Sequence, residues 1–225
     1  MDFAAIKRNN KVQKLYLGVE IRKNEHTKTE LQQFLHLPQN KILLCNISAF
    51  EPVKGIDILC KAVAILKNNY KLTNFACCHL GGLRAENEKN RDYRQGIYDL
   101  CKELDIESEM IFLGHRNDIG KILSAFDVYV HPSRMEGLGL VNVEAGIQSL
   151  PLIGSNTGGI HEIIHNNENG FLFESENTEQ LAEYLYKLIA DEKLRKIMGT
   201  KSFEIVNKNF NIETQTEKLM EYYLL

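Results

Sequence analysis

The sequence predicts a doubly wound α/β domain, in which helices cover both faces of a parallel sheet, and two observations carry this prediction. First, short apolar runs recur from about residue 41 onward, and turn residues follow them. Such runs are typical of strands buried on both faces. Second, longer amphipathic stretches with apolar residues at spacings of three and four separate the runs. Strand and helix therefore alternate, as a doubly wound sheet requires.

The apolar runs give the predicted strands, which lie at residues 42–47, 75–80, 110–113, 127–130, 150–153 and 171–173. Helices are predicted between them, for example over residues 58–66 and 97–104, and another near residues 29–35. The last third of the chain, from Thr178, is predicted to be helical with little strand signal. Residues 1–40 have scattered charge and are expected to be a linker or a remnant of another domain, whereas residues 41–225 form the main domain.

Composition narrows the classes of function. The chain has 225 residues, and its 30 acidic residues outnumber its 27 basic ones, which argues against a nucleic-acid partner. No apolar run is long enough to span a bilayer and the first residues lack a signal-peptide core, so the expected location is the cytoplasm. Five cysteines without a C-x-x-C spacing indicate buried, reduced thiols rather than disulfides or a zinc site.

The most informative segment follows the fourth predicted strand, at residues 131–145. In an open parallel sheet, ligands bind outside the carboxyl ends of the strands. The loop contains Gly137 and Gly139, which let the backbone approach a ligand closely, and a helix is predicted to open near Leu138. The first N–H groups of such a helix favour an anion such as phosphate.

Glu136 and Glu144 flank this predicted helix start. On a continuous helix, eight residues correspond to about 12 Å of rise and to side chains that face broadly the same way. That distance exceeds the separation of about 5 to 9.5 Å between paired carboxylates of glycoside hydrolases, so an acid–base pair acting on one bond is not indicated. Carboxylates at both ends of a phosphate site suit a nucleotide sugar, because each accepts hydrogen bonds from hydroxyl groups. Two solvated surface glutamates are the alternative interpretation.

Residues Glu136–Glu144 resemble the E-x7-E motif of the retaining family-4 glycosyltransferases of GT-B fold. Four further segments resemble the motifs of this family in order and spacing; they are Pro52–Leu59, Phe112–Gly114, Thr157–Ile164 and Asn169–Leu172. The resemblance covers residues 42 to about 225 and implies one Rossmann-like half of a GT-B fold, the C-terminal half that binds the donor. Residues 1–40 would then be the linker to an N-terminal acceptor domain or a remnant of it.

The resemblance also implies roles for individual residues. Lys54 would pair with the donor diphosphate, Glu136 would contact the transferred sugar and Glu144 the ribose hydroxyls. Further donor contacts are expected from residues around the helix start and after the third strand, namely Gly137, Leu138, Gly139, Leu140, Val141, Gly114, Arg116 and Arg134. The implied activity is hexose transfer from a nucleotide diphosphate sugar to a glycan or lipid-linked acceptor in polysaccharide biosynthesis, with retention, no metal or other cofactor, and room for peripheral membrane contact.

The chain departs from the family pattern in two respects. Ala49 stands where the family usually has an arginine, and Arg134 or Arg116 would have to replace that diphosphate contact. The resemblance also implies that the sequence given does not include the acceptor-binding half. A non-catalytic nucleotide-sugar module, or one subunit of a split enzyme, is therefore a second hypothesis.

A third hypothesis comes from His161, Glu162 and His165, which fit the H-E-x-x-H motif of zinc metalloproteases. That motif requires a helix long enough to place both imidazoles on one face. Glycines precede the segment and Asn166–Gly170 follow it, which leaves about two helical turns and no convincing third ligand. His131 and His115 are expected at strand ends that face the crevice. Contact with the ligand is one interpretation of this position, and a structural role is the more ordinary one for a lone histidine.

Overall fold

The computed structural model of the chain describes residues 14–21, 26–83 and 88–224. Its centre is a parallel sheet in which every predicted strand is found. The strands are β1 (Ile42–Ile47), β2 (Phe75–Leu80), β3 (Met110–Gly114), β4 (Val128–His131), β5 (Leu152–Ser155) and β6 (Gly170–Phe173). They lie in the order β3-β2-β1-β4-β5-β6, and each neighbouring pair is parallel. This is the strand order of a doubly wound, Rossmann-like sheet, which confirms the predicted fold class.

Helices connect the strands and cover the sheet. In the described part of the chain they are α1 (Lys28–Phe34), α2 (Ile56–Asn68), α3 (Glu88–Glu103), α4 (Ile119–Ile122), α5 (Leu140–Ile147), α6 (Thr178–Ala190), α7 (Glu192–Phe210) and α8 (Ile212–Leu224). The predicted helices near residues 29–35, 58–66 and 97–104 are thus confirmed, as is the helical C-terminal third.

The core lies on both faces of the sheet, as the continuous apolar runs predict. Neighbouring residues of β1 point in opposite directions, so Leu44 packs against α2 whereas Leu43 and Cys45 pack on the other face. All three side chains are fully buried. All five cysteines of the chain are free and buried, which agrees with the expectation of reduced thiols.

Residues 16–19 pack against the end of α7 on one side of the domain. Tyr16 packs on the ring of Phe210 at 4.6 Å between centroids, and the N–H of Val19 donates to the carbonyl of Phe210 at 2.7 Å. Leu31 of α1 and Leu35 just after it are buried in the core. The predicted linker also includes residues 1–13 and 22–25, which lie outside the described residues, and the boundary at residue 40 stays a prediction.

Within the described ranges, no helix combines the length and the apolar character needed to cross a bilayer.

Candidate active site

A cleft of about 490 Å³ opens at the carboxyl ends of the strands. Ile47, Leu80 and His131, the last residues of β1, β2 and β4, form its floor. β1 and β4 are neighbours in the sheet, and the chain winds outward from them in opposite directions. Ligands of doubly wound proteins bind at this kind of switch point, so the cleft is the expected site.

Lys54 and Glu136 meet inside the cleft. A 3-10 turn, Pro52–Lys54, follows β1 and presents the Lys54 ammonium, which lies 2.7 Å from Oε2 of Glu136. His131 Nε2 lies 3.0 Å from the same oxygen. The hydrogen bonds from His131 and from Lys54 lower the pKa of Glu136 to about 2, against the opposing effect of burial. The site therefore holds an ionised carboxylate and an ammonium within reach of a ligand.

The loops that hold these two residues are fastened together. The N–H of Arg134 donates to the carbonyl of Val53 at 2.8 Å. Gly55 adopts a left-handed conformation with φ of 66°, and a Cβ there would lie 2.0 Å from the carbonyl oxygen of Pro132. Only glycine permits this close approach, which keeps Lys54 beside the loop of Glu136.

Arg134 completes this fastening and does not line the cleft. Its guanidinium binds both oxygens of Asp57, at 2.8 and 2.7 Å, and also contacts Glu176. Burial alone would raise the pKa of Asp57, but the hydrogen bonds from Arg134 outweigh it and lower that pKa. The structure thus pairs Arg134 with two carboxylates, and its replacement of the arginine that the family usually has at the position of Ala49 stays a prediction.

The helix start differs from the sequence prediction. α5 begins at Leu140 rather than near Leu138, because Gly139 adopts a left-handed conformation with φ of 74° immediately before it. Glu136 consequently lies in the loop, and the rise calculated for a continuous helix between Glu136 and Glu144 does not apply. No side chain caps α5, so its first N–H groups, at Leu140 and Val141, are available to an anion.

The structure brings six of the predicted site residues together along the cleft, namely Lys54, Arg116, Glu136, Gly139, Leu140 and Val141. Gly114, Arg134, Gly137, Leu138 and Glu144 do not line it. Arg116 donates to both oxygens of Asp118, at 2.8 and 2.7 Å. Glu144 lies in the second turn of α5, where burial raises the pKa of its half-buried carboxyl group.

Sequence reasoning missed Ser133, and it named His131 only as a possible ligand contact without its hydrogen bond to Glu136. Ser133 is buried, and its Oγ lies 3.2 Å from His131 Nε2 and 3.4 Å from Oε2 of Glu136. In the sequence, only their position at and just after the end of a buried strand could have indicated these two residues.

The H-E-x-x-H segment does not form the helix that a zinc protease needs. His161 and Glu162 belong to a three-residue 3-10 turn that ends before His165. Glu162 binds Lys14, and His165 Nδ1 lies 3.7 Å from Glu168. Across residues 14–21, 26–83 and 88–224, no three histidine, cysteine or acidic side chains cluster as a metal site would require.

Comparison with known proteins supports the interpretation of the fold. The chain is 28% identical over 221 residues to N-acetyl-alpha-D-glucosaminyl L-malate synthase of Bacillus anthracis, a match that covers 97% of this chain and 54% of that protein. It is 26% identical over 193 residues to an Escherichia coli alpha-1,3-galactosyltransferase that acts from UDP-Gal on GlcNAc-diphosphoundecaprenol, covering 86% and 48%. The chain thus spans about half the length of the curated relatives it matches.

Two solved structures have the same fold as this chain. HepE of Anabaena in complex with UDP-glucose superposes with a TM-score of 0.82 at 25% identity, over 93% of this chain and 56% of HepE. The C-terminal domain of the group 1 glycosyl transferase LpcC from Francisella tularensis matches with a TM-score of 0.75 at 23% identity, over 87% of this chain and 100% of that domain.

The fold is therefore that of one Rossmann-like half of a GT-B glycosyltransferase. More specifically, the chain belongs to the glycosyl transferases group 1, whose family model matches residues 27–204.

Proposed function

We propose that this chain binds a nucleotide diphosphate sugar in the cleft and supplies the donor half of a retaining hexosyltransferase. The observation that carries the proposal is the joint position of the Lys54 ammonium, the Glu136 carboxylate and the uncapped start of α5 around one cavity at the switch point of the sheet. UDP-glucose is bound by HepE, whose fold matches this chain closely.

The diphosphate would lie between Lys54 and the N–H groups of Leu140 and Val141. Negative charge grows on the nucleotide diphosphate as the sugar leaves. A fixed ammonium and oriented N–H dipoles stabilise that charge more in the transition state than in the ground state. Arg116 also lies on the cleft wall, where it forms two hydrogen bonds with the Asp118 carboxylate. We propose that Lys54 and the two N–H groups supply the positive charge for departure, and that no metal cofactor is needed.

The sugar and the nucleoside would extend from the diphosphate in opposite directions. Glu136 lines the cleft and is ionised, so it accepts hydrogen bonds from sugar hydroxyls. Glu144 is our proposed ribose contact; it does not itself line the cleft but lies in the second turn of α5, the helix whose first residues do. Burial raises the pKa of its carboxyl group in the ligand-free chain, and hydrogen bonds from ribose hydroxyls would offset that destabilisation of the ionised form.

Transfer requires an acceptor hydroxyl held against the donor, and the chain spans about half of its relatives. We propose that an N-terminal half or partner subunit binds the acceptor, a glycan or a lipid-linked glycan in polysaccharide biosynthesis. Retention would follow from attack on the face that the leaving group vacates. The free, buried cysteines support a reducing compartment, the cytoplasm.

Titration calorimetry of the 225-residue chain tests the proposal with UDP, UDP-glucose, GDP-mannose and ADP-glucose. We expect saturable binding of at least one nucleotide sugar, weakened by Glu144→Gln for nucleoside and nucleotide sugar alike. The matched control is Glu103→Gln, an exposed glutamate on α3 away from the cleft. If none of these nucleotides binds the wild-type chain, this cleft is not a site for these donors.

Catalysis by the isolated chain distinguishes the transferase from a binding module. Release of free glucose from UDP-glucose, or transfer to an added acceptor, would support an enzyme. Tight donor binding without turnover, even when the chain is mixed with an acceptor-binding half, would support the module instead.

A further inference from the structure

His131 connects the interior of the sheet to the cleft. It ends β4, is 2% exposed, and has a polar neighbour at each ring nitrogen. Nε2 lies 3.0 Å from Oε2 of Glu136, and Nδ1 lies 3.1 Å from the hydroxyl of Tyr129. A histidine that served only to fill the core would not need a carboxylate at the mouth of a cleft.

The neighbouring side chains indicate which ring nitrogen of His131 donates a proton to Glu136. An ionised carboxylate only accepts hydrogen bonds, so Nε2 must donate to Glu136. Tyr129 is fully buried, and burial raises the pKa of its hydroxyl well above the usual value, so it stays a phenol. With a proton on Nε2, the imidazole donates to Glu136, and Nδ1 has the Tyr129 hydroxyl as its hydrogen-bond partner.

One oxygen of Glu136 carries most of the contacts. Oε2 is 2.7 Å from Lys54, 3.0 Å from His131 and 3.4 Å from Ser133, whereas Oε1 accepts the N–H of Gly137 at 3.3 Å. Glu136 lies in a loop, so no helix fixes its side chain. If Lys54 turns to a diphosphate, His131 and Ser133 still hold Oε2, and one acceptor position on that oxygen becomes free for a sugar hydroxyl.

We propose that His131 is a positioning residue for sugar transfer, which holds the Glu136 carboxylate in the cleft after Lys54 has left it for the donor diphosphate. This inference rests on the proposed function. The sugar part of the donor would then be recognised by two residues together, Glu136 and His131.

Two conservative variants separate positioning from packing. In His131→Gln the side-chain amide can occupy the place of Nε2 and donate to Glu136, whereas in His131→Asn the shorter amide reaches only the place of Nδ1. Calorimetry with UDP and UDP-glucose, and with GDP and GDP-mannose as a second pair, measures the contribution of the sugar. We expect His131→Asn to weaken the nucleotide sugar about tenfold and the nucleotide less than about twofold, with His131→Gln close to wild type.

Equal weakening of nucleotide and nucleotide sugar in both variants, or no weakening in His131→Asn, would overturn the proposal. The tautomer gives a readout that does not depend on folding of a variant. Long-range ¹H–¹⁵N spectra of the wild-type chain should show a proton on His131 Nε2, and protonation at Nδ1 alone would contradict the inference. Failure of the wild-type chain to bind any of the four ligands is a different result, which removes the proposed function itself.

Discussion

The Lys54 ammonium and the Glu136 carboxylate lie 2.7 Å apart although 82 residues separate them in the chain. Each follows the carboxyl end of a strand, and those strands, β1 and β4, are neighbours in the sheet. Both side chains are partly exposed, at 23% and 16%, so the pair contributes little to stability and remains open to exchange with a ligand.

Lys54→Ala should weaken binding of a nucleotide diphosphate by about 10- to 100-fold, because a charge-assisted hydrogen bond to phosphate is lost. The free energy of unfolding should change by less than about 1 kcal/mol, as for other partly exposed ion pairs. Calorimetry and urea titration measure the two quantities. Lys61→Ala, at an exposed lysine on α2, is the matched control and should alter neither. Unchanged diphosphate affinity in Lys54→Ala would remove the lysine from the donor site.

Arg134→Met should destabilise the fold by about 1–2 kcal/mol, since Asp57 would lose its bidentate partner while remaining half-buried. Because Arg134 fastens the Lys54 loop to the Glu136 loop, donor affinity should fall as well. Asp57→Asn breaks the same contact from the other side and should reproduce both effects.

The double variant Arg134→Met with Asp57→Asn distinguishes a fastening from a direct diphosphate contact. Its effects should be clearly less than the sum of the two single variants, because both remove one interaction. Additive losses of donor affinity would instead indicate that Arg134 binds the ligand directly.

Gly55→Ala should cost more than about 2 kcal/mol of folding free energy, because it forces a left-handed conformation on alanine and drives Cβ into the Pro132 carbonyl. Gly96→Ala makes a matched comparison. Gly96 lies in the interior of α3 with open space around its Cα, and alanine there should stabilise the helix by about 0.5–1 kcal/mol. Urea denaturation of both variants measures the difference, and equal effects would contradict the packing of the two loops.

Stability should fall as the pH is lowered from about 6.5 to about 4. His79 is buried, Nδ1 lies 2.9 Å from the Asn46 side-chain oxygen, and burial lowers its pKa to about 4. As the pH falls, the His79 side chain is therefore protonated near pH 6.5 in the unfolded chain but only near pH 4 in the native chain. This difference in pKa corresponds to about 3 kcal/mol of unfolding free energy. The native state has this stability in full above pH 6.5 and loses it as the pH falls towards 4.

Urea denaturation at several pH values measures this slope. His79→Gln should flatten it, even though the variant is less stable at pH 8, whereas the exposed His161→Gln should leave it unchanged. The same slope in wild type and His79→Gln would show that another group causes the acid sensitivity.

The sequence predicted the sheet well because buried parallel strands are continuous apolar runs with few alternative structures. The observed strand boundaries differ from the predicted ones where the backbone of a particular residue limits hydrogen bonding. The fifth strand was predicted over residues 150–153 but begins at Leu152, directly after Pro151, which has no N–H to donate to a neighbouring strand.

The candidate site was predicted less completely. Glu136 was named from its place at the predicted helix start and Lys54 from a family resemblance, and their direct contact follows from strand order rather than from spacing. The commitment of Arg134 to Asp57 and Glu176 depends on elements far apart in the chain, and no local pattern indicates it. The late start of α5 depends on the left-handed conformation of Gly139, which the sequence permits but does not require.

The alternation along β1 also bears on how tolerant the site is of length changes. Leu44 packs in the core on one face of the sheet, and Leu43 and Cys45 pack in the core on the other face. Deleting one residue from this strand would turn the side chains on one side of the deletion to the opposite face. The same deletion would shorten by about 3.3 Å the segment that carries Lys54 to the cleft. Natural variants of this chain should therefore vary in length between elements and never within this strand, because one register sustains both the packing and the chemistry.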